Sequence, residues 1–94
     1  MRLTPQITQA LTNLKIESLN PMQETAIESW REGKDLILLS PTGSGKTLAY
    51  LLPLLETLQP DVKGVQAVVL VPSRELALQI DQVFKSLNTP YKVM

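Results

Sequence analysis

The sequence contains neither cysteine nor histidine. Disulfides are thereby excluded, and a zinc site built from protein ligands loses its two commonest donors. An excess of one charge is also lacking. Nine basic residues meet nine acidic ones, interspersed along the 94-residue chain, for a formal net charge of zero. Such a chain carries no broad basic field, so any polyanion binding must come from a few placed groups. Aromatic residues amount to only 4%. Trp30, Tyr50 and Phe84 all fall on helical apolar stripes, where they read as packing and not as stacking platforms. No hydrophobic run approaches the length of a bilayer span. Met1-Arg2 leads into Leu3-Thr4-Pro5-Gln6 without the apolar segment of a secretory signal. The hydrophobic fraction of 44% is still that of an ordinary globular domain. Together these absences make a soluble chain in the reducing cytoplasm the default expectation.

What is present centres on residues 40–47, SPTGSGKT, set between the apolar run Leu36-Ile37-Leu38-Leu39 and a leucine-rich helical stretch from Leu48. Glycines at 43 and 45 allow positive φ, so the backbone can close around phosphate oxygens with its N–H groups. Ser40, Thr42 and Ser44 complete that loop. A helix opening behind it adds unpaired amides and the positive end of its dipole. Lys46 would bring a point charge to the β- and γ-phosphates, and the hydroxyl of Thr47 would ligate Mg²⁺. The general pattern has glycine where this chain has Ser40, so the strict expression fails by one residue. The competing reading is a junction of turn-forming residues that binds nothing.

Periodicity predicts four helices. Thr4-Pro5 starts the first, with Ile7, Ala10, Leu11 and Leu14 on one stripe. Asn20-Pro21 opens the second, lined by Met22, Ala26, Ile27 and Trp30 and ended by Gly33. The third runs from about Gly45 to Leu58, with Leu48, Leu51, Leu52 and Leu55 inward and Pro53 expected to kink it. The fourth follows Pro72-Ser73 and turns Leu76, Ala77, Ile80, Val83, Phe84 and Leu87 to the core. Residues 35–39, 66–71 and 91–94 read as buried strands. Alternating strands and helices predict an α/β fold, a parallel sheet of about three strands flanked by helices. On this reading residues 1–34 form a helical region and 35–94 a βαβαβ core.

Three segments taken together resemble the first RecA-like domain of DEAD-box ATP-dependent RNA helicases. KIESLNPMQETAI (15–27) is similar to the family's Q motif, SPTGSGKTLAYLLPLLE (40–56) to motif I and PSRELALQI (72–80) to motif Ia. The resemblance covers nearly the whole chain and implies a partial RecA-like P-loop NTPase domain using ATP and Mg²⁺. It places Gln23 against adenine, a role that suits a primary amide able to donate and accept. Asn20-Pro21-Met22-Gln23 equally scans as a helix cap with Gln at the third helical position, and the two roles are compatible. Ile16 stands where the family has an aromatic ring against adenine, which implies weaker base stacking. Pro72, Ser73, Arg74 and Glu75 match the segment that touches the RNA sugar–phosphate backbone, and helix amides beside an Arg suit that task. The alternative is that Ser73 only caps its helix while Arg74 pairs with Glu75 or Asp81.

Hydrolysis needs more than a cradle: a carboxylate for Mg²⁺ and a group that orients water. The family draws these from the DEAD tetrapeptide and a second RecA-like domain, and no Asp-Glu-Ala-Asp occurs in this sequence. The chain is therefore expected to be the N-terminal part of a longer helicase that binds nucleotide but does not turn it over alone. It is also expected to self-associate through an uncovered sheet edge. Rival readings are another P-loop enzyme, such as a superfamily 2 DNA helicase or a small-molecule kinase, and a non-catalytic interaction module.

Overall fold

The computed structural model describes residues 1–39 and 45–94. Four helices organise them: α1 (Pro5–Asn13), α2 (Pro21–Arg31), α3 (Lys46–Thr57) and α4 (Arg74–Ser86). Their starts follow the sequence closely because each is chemically marked. The Ile7 N–H donates to Thr4 Oγ1 at 3.4 Å, and the Leu76 N–H donates to Ser73 Oγ at 3.2 Å. Both bonds satisfy amides that a helix start leaves without a partner. Pro5 and Pro21 occupy the first position of α1 and α2, where a missing N–H costs nothing.

The helix ends are as well defined. At the end of α1 the Lys15 N–H bonds to the Thr12 carbonyl and the Ile16 N–H to that of Leu11. At the end of α2 the Gly33 and Lys34 N–H groups bond to the Trp30 and Ser29 carbonyls in the same pattern. This double closure demands a left-handed residue, which at α2 is Gly33 with φ 75°. At α1 the position is held by Lys15 with φ 59°, a conformation that costs a side-chain-bearing residue about 1–2 kcal/mol.

α3 is the centre of the molecule and touches each of the other three helices. Its Leu51, Leu52 and Leu55 are buried with Ile7, Ala10, Leu11, Ile27, Phe84 and Leu87 in one continuous core. Pro53 lies within α3 and is itself buried, and the helix continues through it to Thr57. Two side-chain clasps tie the periphery. Asn13 Nδ2 donates to the Leu87 carbonyl at 2.8 Å, joining α1 to the end of α4 across 74 positions. The Gln66 amide meets both the N–H and the carbonyl of Gln59, at 2.8 and 2.9 Å, and closes the loop between them.

The expected α/β architecture is corrected by this arrangement. Among the described residues there is no strand and no sheet: 34–39, 65–71 and 91–94 form no ladder. The hydrophobic runs read as strands covered on both faces are open instead. Ile37 is 84% exposed, Leu39 90%, Val68 73% and Leu70 90%. A strand needs backbone partners on at least one side and apolar cover on its faces. Here the helices pack on one another around α3, and among the described residues these runs find no strand partner. On α4 the expected inward face also shrinks, since Ala77 is exposed while Phe84 and Leu87 carry the burial.

Two substitutions test these contacts by urea denaturation. Lys15→Gly is expected to stabilise the protein by about 1 kcal/mol, because glycine takes the left-handed position without penalty. Leu52→Ala is expected to destabilise it by about 2–5 kcal/mol, the usual cost of emptying a fully packed leucine site.

Candidate functional site

α3 is the helix whose start differs. Gly45 precedes it with φ 87°, in the left-handed region, and supplies no side-chain cap, whereas Thr4, Asn20 and Ser73 cap the other three. The Ala49 N–H reaches back to the Gly45 carbonyl at 3.1 Å. The amides of Lys46, Thr47 and Leu48 precede that first bond and have no acceptor within the helix. No acidic residue lies in the first turn of α3. Such an end carries a partial positive charge suited to an anion. Lys46 and Thr47 occupy its first two positions, both half-buried. Among the described residues Lys46 makes no ion pair. Ser40, Thr42, Gly43 and Ser44 of the expected loop lie outside the described residues.

The start of α2 is packed against this end of α3. Gln23, only 5% exposed, is a buried polar side chain in an otherwise apolar core. Its backbone N–H donates to Asn20 Oδ1 at 2.8 Å, and its Oε1 accepts the Asn20 N–H at 3.0 Å. The reciprocal cap read from the sequence is therefore present. The other end of the same amide reaches across the chain: Nε2 donates to the Gly45 carbonyl at 3.3 Å. A side chain at position 45 would collide with it, since a Cβ there would sit 2.6 Å from Gln23 Nε2 and 3.3 Å from Asn20 Nδ2. The structure thus brings Gln23, Gly45, Lys46 and Thr47 together. The Gln23–Gly45 contact, 22 positions apart, had no local signal in the sequence.

Further along, an ion pair joins the same two helices. Arg31 Nε donates to Glu56 Oε2 at 3.0 Å, and its Nη2 pairs with Glu56 Oε1. The fork is bidentate, and the hydrogen bond to Glu56 raises the Arg31 pKa against a smaller opposing cost of burial.

The remaining sequence candidates sit elsewhere. Ile16 is half-buried against the core, and its N–H is used in closing α1. Pro72, Ser73, Arg74 and Glu75 are all exposed at the start of α4. Ser73 caps that helix, as the alternative reading held. The pairing of Arg74 with Asp81 is not formed; Asp81 Oδ2 meets Lys85 Nζ instead, at 2.9 Å. Of the three aromatics read as packing, Phe84 is buried and Tyr50 packs against the core. Trp30 is half-buried and lines an open cleft with Tyr50, Leu36 and Leu38. No helix among the described residues is long and apolar enough to cross a membrane.

Comparison with known proteins gives this geometry a setting. The family model described as DEAD/DEAH box helicase matches residues 20–94. The DEAD-box ATP-dependent RNA helicase CshC of Bacillus cereus is 49% identical over 80 residues, covering 85% of this chain and 21% of its own. The probable ATP-dependent RNA helicase YfmL of Bacillus subtilis is 57% identical over 65 residues, covering 69% of this chain and 17% of its own. The ATP-dependent rRNA helicase RRP3 of Meyerozyma guilliermondii is 42% identical over 89 residues, covering 95% and 19%. The chain thus spans about a fifth of the length of these relatives.

The site's own frame can be tested without ligand. Asn20→Ala is expected to lower stability by about 1 kcal/mol, the usual worth of such a cap, read as a shift in the urea midpoint.

Proposed function

Because the chain belongs to the DEAD/DEAH box helicase family, we propose that it supplies the ATP-binding part of an ATP-dependent RNA helicase. The observation that carries the proposal is the start of α3, which among the described residues has no side-chain cap and no acidic residue in its first turn, with Gly45 left-handed and Lys46 and Thr47 following at once. In this reading the free amides of that turn and the Lys46 ammonium hold the β- and γ-phosphates, together with Ser40, Thr42, Gly43 and Ser44. Thr47 offers a hydroxyl to Mg²⁺ and Gln23 reads the adenine edge, with Ile16 as an apolar neighbour of the base. The nucleotide supplies the phosphoanhydride whose cleavage drives the helicase. Lys46 and Thr47 neutralise and orient its phosphates, and the water-activating groups come from motifs outside these 94 residues.

RNA is the proposed polymer partner, held at the start of α4. Exposed Pro72, Ser73, Arg74 and Glu75 leave the Arg74 guanidinium free to grip a phosphate without reading a base. The uncharged run at 65–71, with Val65, Val68 and Leu70 outward, favours self-association of the chain when nothing else covers it. A cysteine-free chain of this kind fits the cytoplasm.

Calorimetric titration with ATP and Mg²⁺ tests the nucleotide reading. Lys46→Ala is expected to weaken binding by about 10- to 100-fold, the worth of a charge-assisted hydrogen bond. An unchanged affinity would mean that the phosphates sit elsewhere, and no binding by the parent would leave only a scaffold. For RNA, Arg74→Gln is expected to weaken binding evenly across homopolymers and to reduce the salt slope by about 1. A loss confined to one base composition would contradict a backbone contact.

A further inference from the structure

We propose that a second copy of this chain pairs with it through residues 67–71, as two antiparallel strands related by a two-fold axis at Val69. This pairing rests on the self-association read above and deepens it by fixing the main-chain contacts and their register. Residues 65–71 include four valines and a leucine and carry no charge, and the nearest charged residues are Lys63 and Arg74. β-Branched residues of this kind suit a pleated strand. Exposed strand edges are ordinarily guarded by lysine, proline or a bulge, and neither lysine nor proline interrupts this run. Exposure alternates along it: Val69 is 43% exposed and Val71 half-buried, whereas Val68 is 73% and Leu70 90% exposed. A period of two is that of a strand with one face turned inward. Val69 and Val71 share a cleft with Ile80 and Phe84 of α4, while Leu70 points away from it.

Among the described residues, no main-chain group of 65–71 bonds to other main chain. The run therefore lacks only a backbone partner, and an identical uncharged run supplies one without repulsion. The register follows from what bounds it. The Gln66 side-chain amide is held by both main-chain groups of Gln59, and Pro72 has no N–H to donate. The five residues between them are centred on Val69. Antiparallel pairing about that centre sets Val69 against its own copy, Val68 against Leu70 and Ala67 against Val71. Inward residues then oppose inward ones and outward residues oppose outward ones, as the pleat requires. Val68 and Leu70 of the two copies cover one another's flanks. An antiparallel pair uses the same patch on both chains and closes at two, whereas a parallel pair is related by a shift and repeats without end.

Sedimentation and infrared spectra of the full chain over a range of concentration test the pairing. The parent is expected to pass from monomer to dimer, with the amide I strand signal rising in step. Val69→Lys sets two ammonium groups face to face and is expected to weaken the dimer by about tenfold or more. Val69→Glu is expected to do the same, and an equimolar mixture of the two variants to dimerise again. Both monomers are expected to keep the parent's helical circular dichroism, because the residue is part-exposed. The chain has no cysteine of its own, so Val69→Cys gives an independent reading. Opposed Cα atoms in an antiparallel pair lie about 4.5–5.5 Å apart, inside the roughly 4.4–6.8 Å that a disulfide spans. Oxidation is expected to link Val69→Cys into dimers about tenfold or more faster than Thr12→Cys, on an exposed position of α1. Equal linking rates, or a dimer that forms without strand signal or ignores the lysine, would overturn the pairing while leaving self-association standing. Growth into fibres would overturn the two-fold register. A parent that stays monomeric at every concentration would remove both the pairing and the self-association beneath it.

Discussion

Burial of one helix underlies the whole arrangement. α3 contributes Leu51, Leu52 and Leu55 to a core that α1, α2 and α4 each reach from a different side. Its first turn is also where the candidate phosphate ligands lie. Packing and chemistry thus share one rigid rod: leucines fix where its axis runs, and the axis fixes where its amides aim. A site at the end of a buried helix inherits the precision of the core behind it. The Arg31–Glu56 fork adds a second constraint between α2 and α3, far along their length. Together with the Gln23–Gly45 contact it limits how far α2 can swing relative to α3.

The electrostatics of the site are local. With a net charge of zero, the chain offers a polyanion little long-range attraction. On the function proposed above, affinity for phosphate arises from a dipole end, a lysine and main-chain amides within one turn. Short-range groups of this kind need correct geometry more than they need charge. Gln23 is worth its desolvation because both ends of its amide are bonded, and a half-satisfied amide at this place would be a net cost.

The helices were legible because their signals are local. Thr4-Pro5, Asn20-Pro21 and Ser73 each announce a start within four residues, and the caps they promised are formed. The reciprocal bond between Asn20 and Gln23 was readable for the same reason. The strands were not, and the cause is instructive. A run such as Ala67-Val68-Val69-Leu70 states that its side chains favour cover, but its period says nothing about which neighbour provides it. Strand formation depends on distant backbone, and among the described residues that backbone is not alongside. Lys15 escaped for a related reason. Its left-handed backbone is imposed by the closing bonds of α1 and runs against the preference of its own side chain. The bond from Gln23 to Gly45 depends on how two helices dock, which no spacing rule encodes.

The clasp from Asn13 to the Leu87 carbonyl has a consequence for how the molecule comes into being. It links α1 to the close of α4, so the residues through Leu87 must be synthesised before that bond can form. Until then Asn13 waits beside Gln9, whose Nε2 already donates to its Oδ1 at 3.0 Å. Closing so long a loop is slow and entropically unfavourable. The clasp on α1 therefore closes only after residue 87 is made, later than the point at which α3, on which α1 also packs, becomes available.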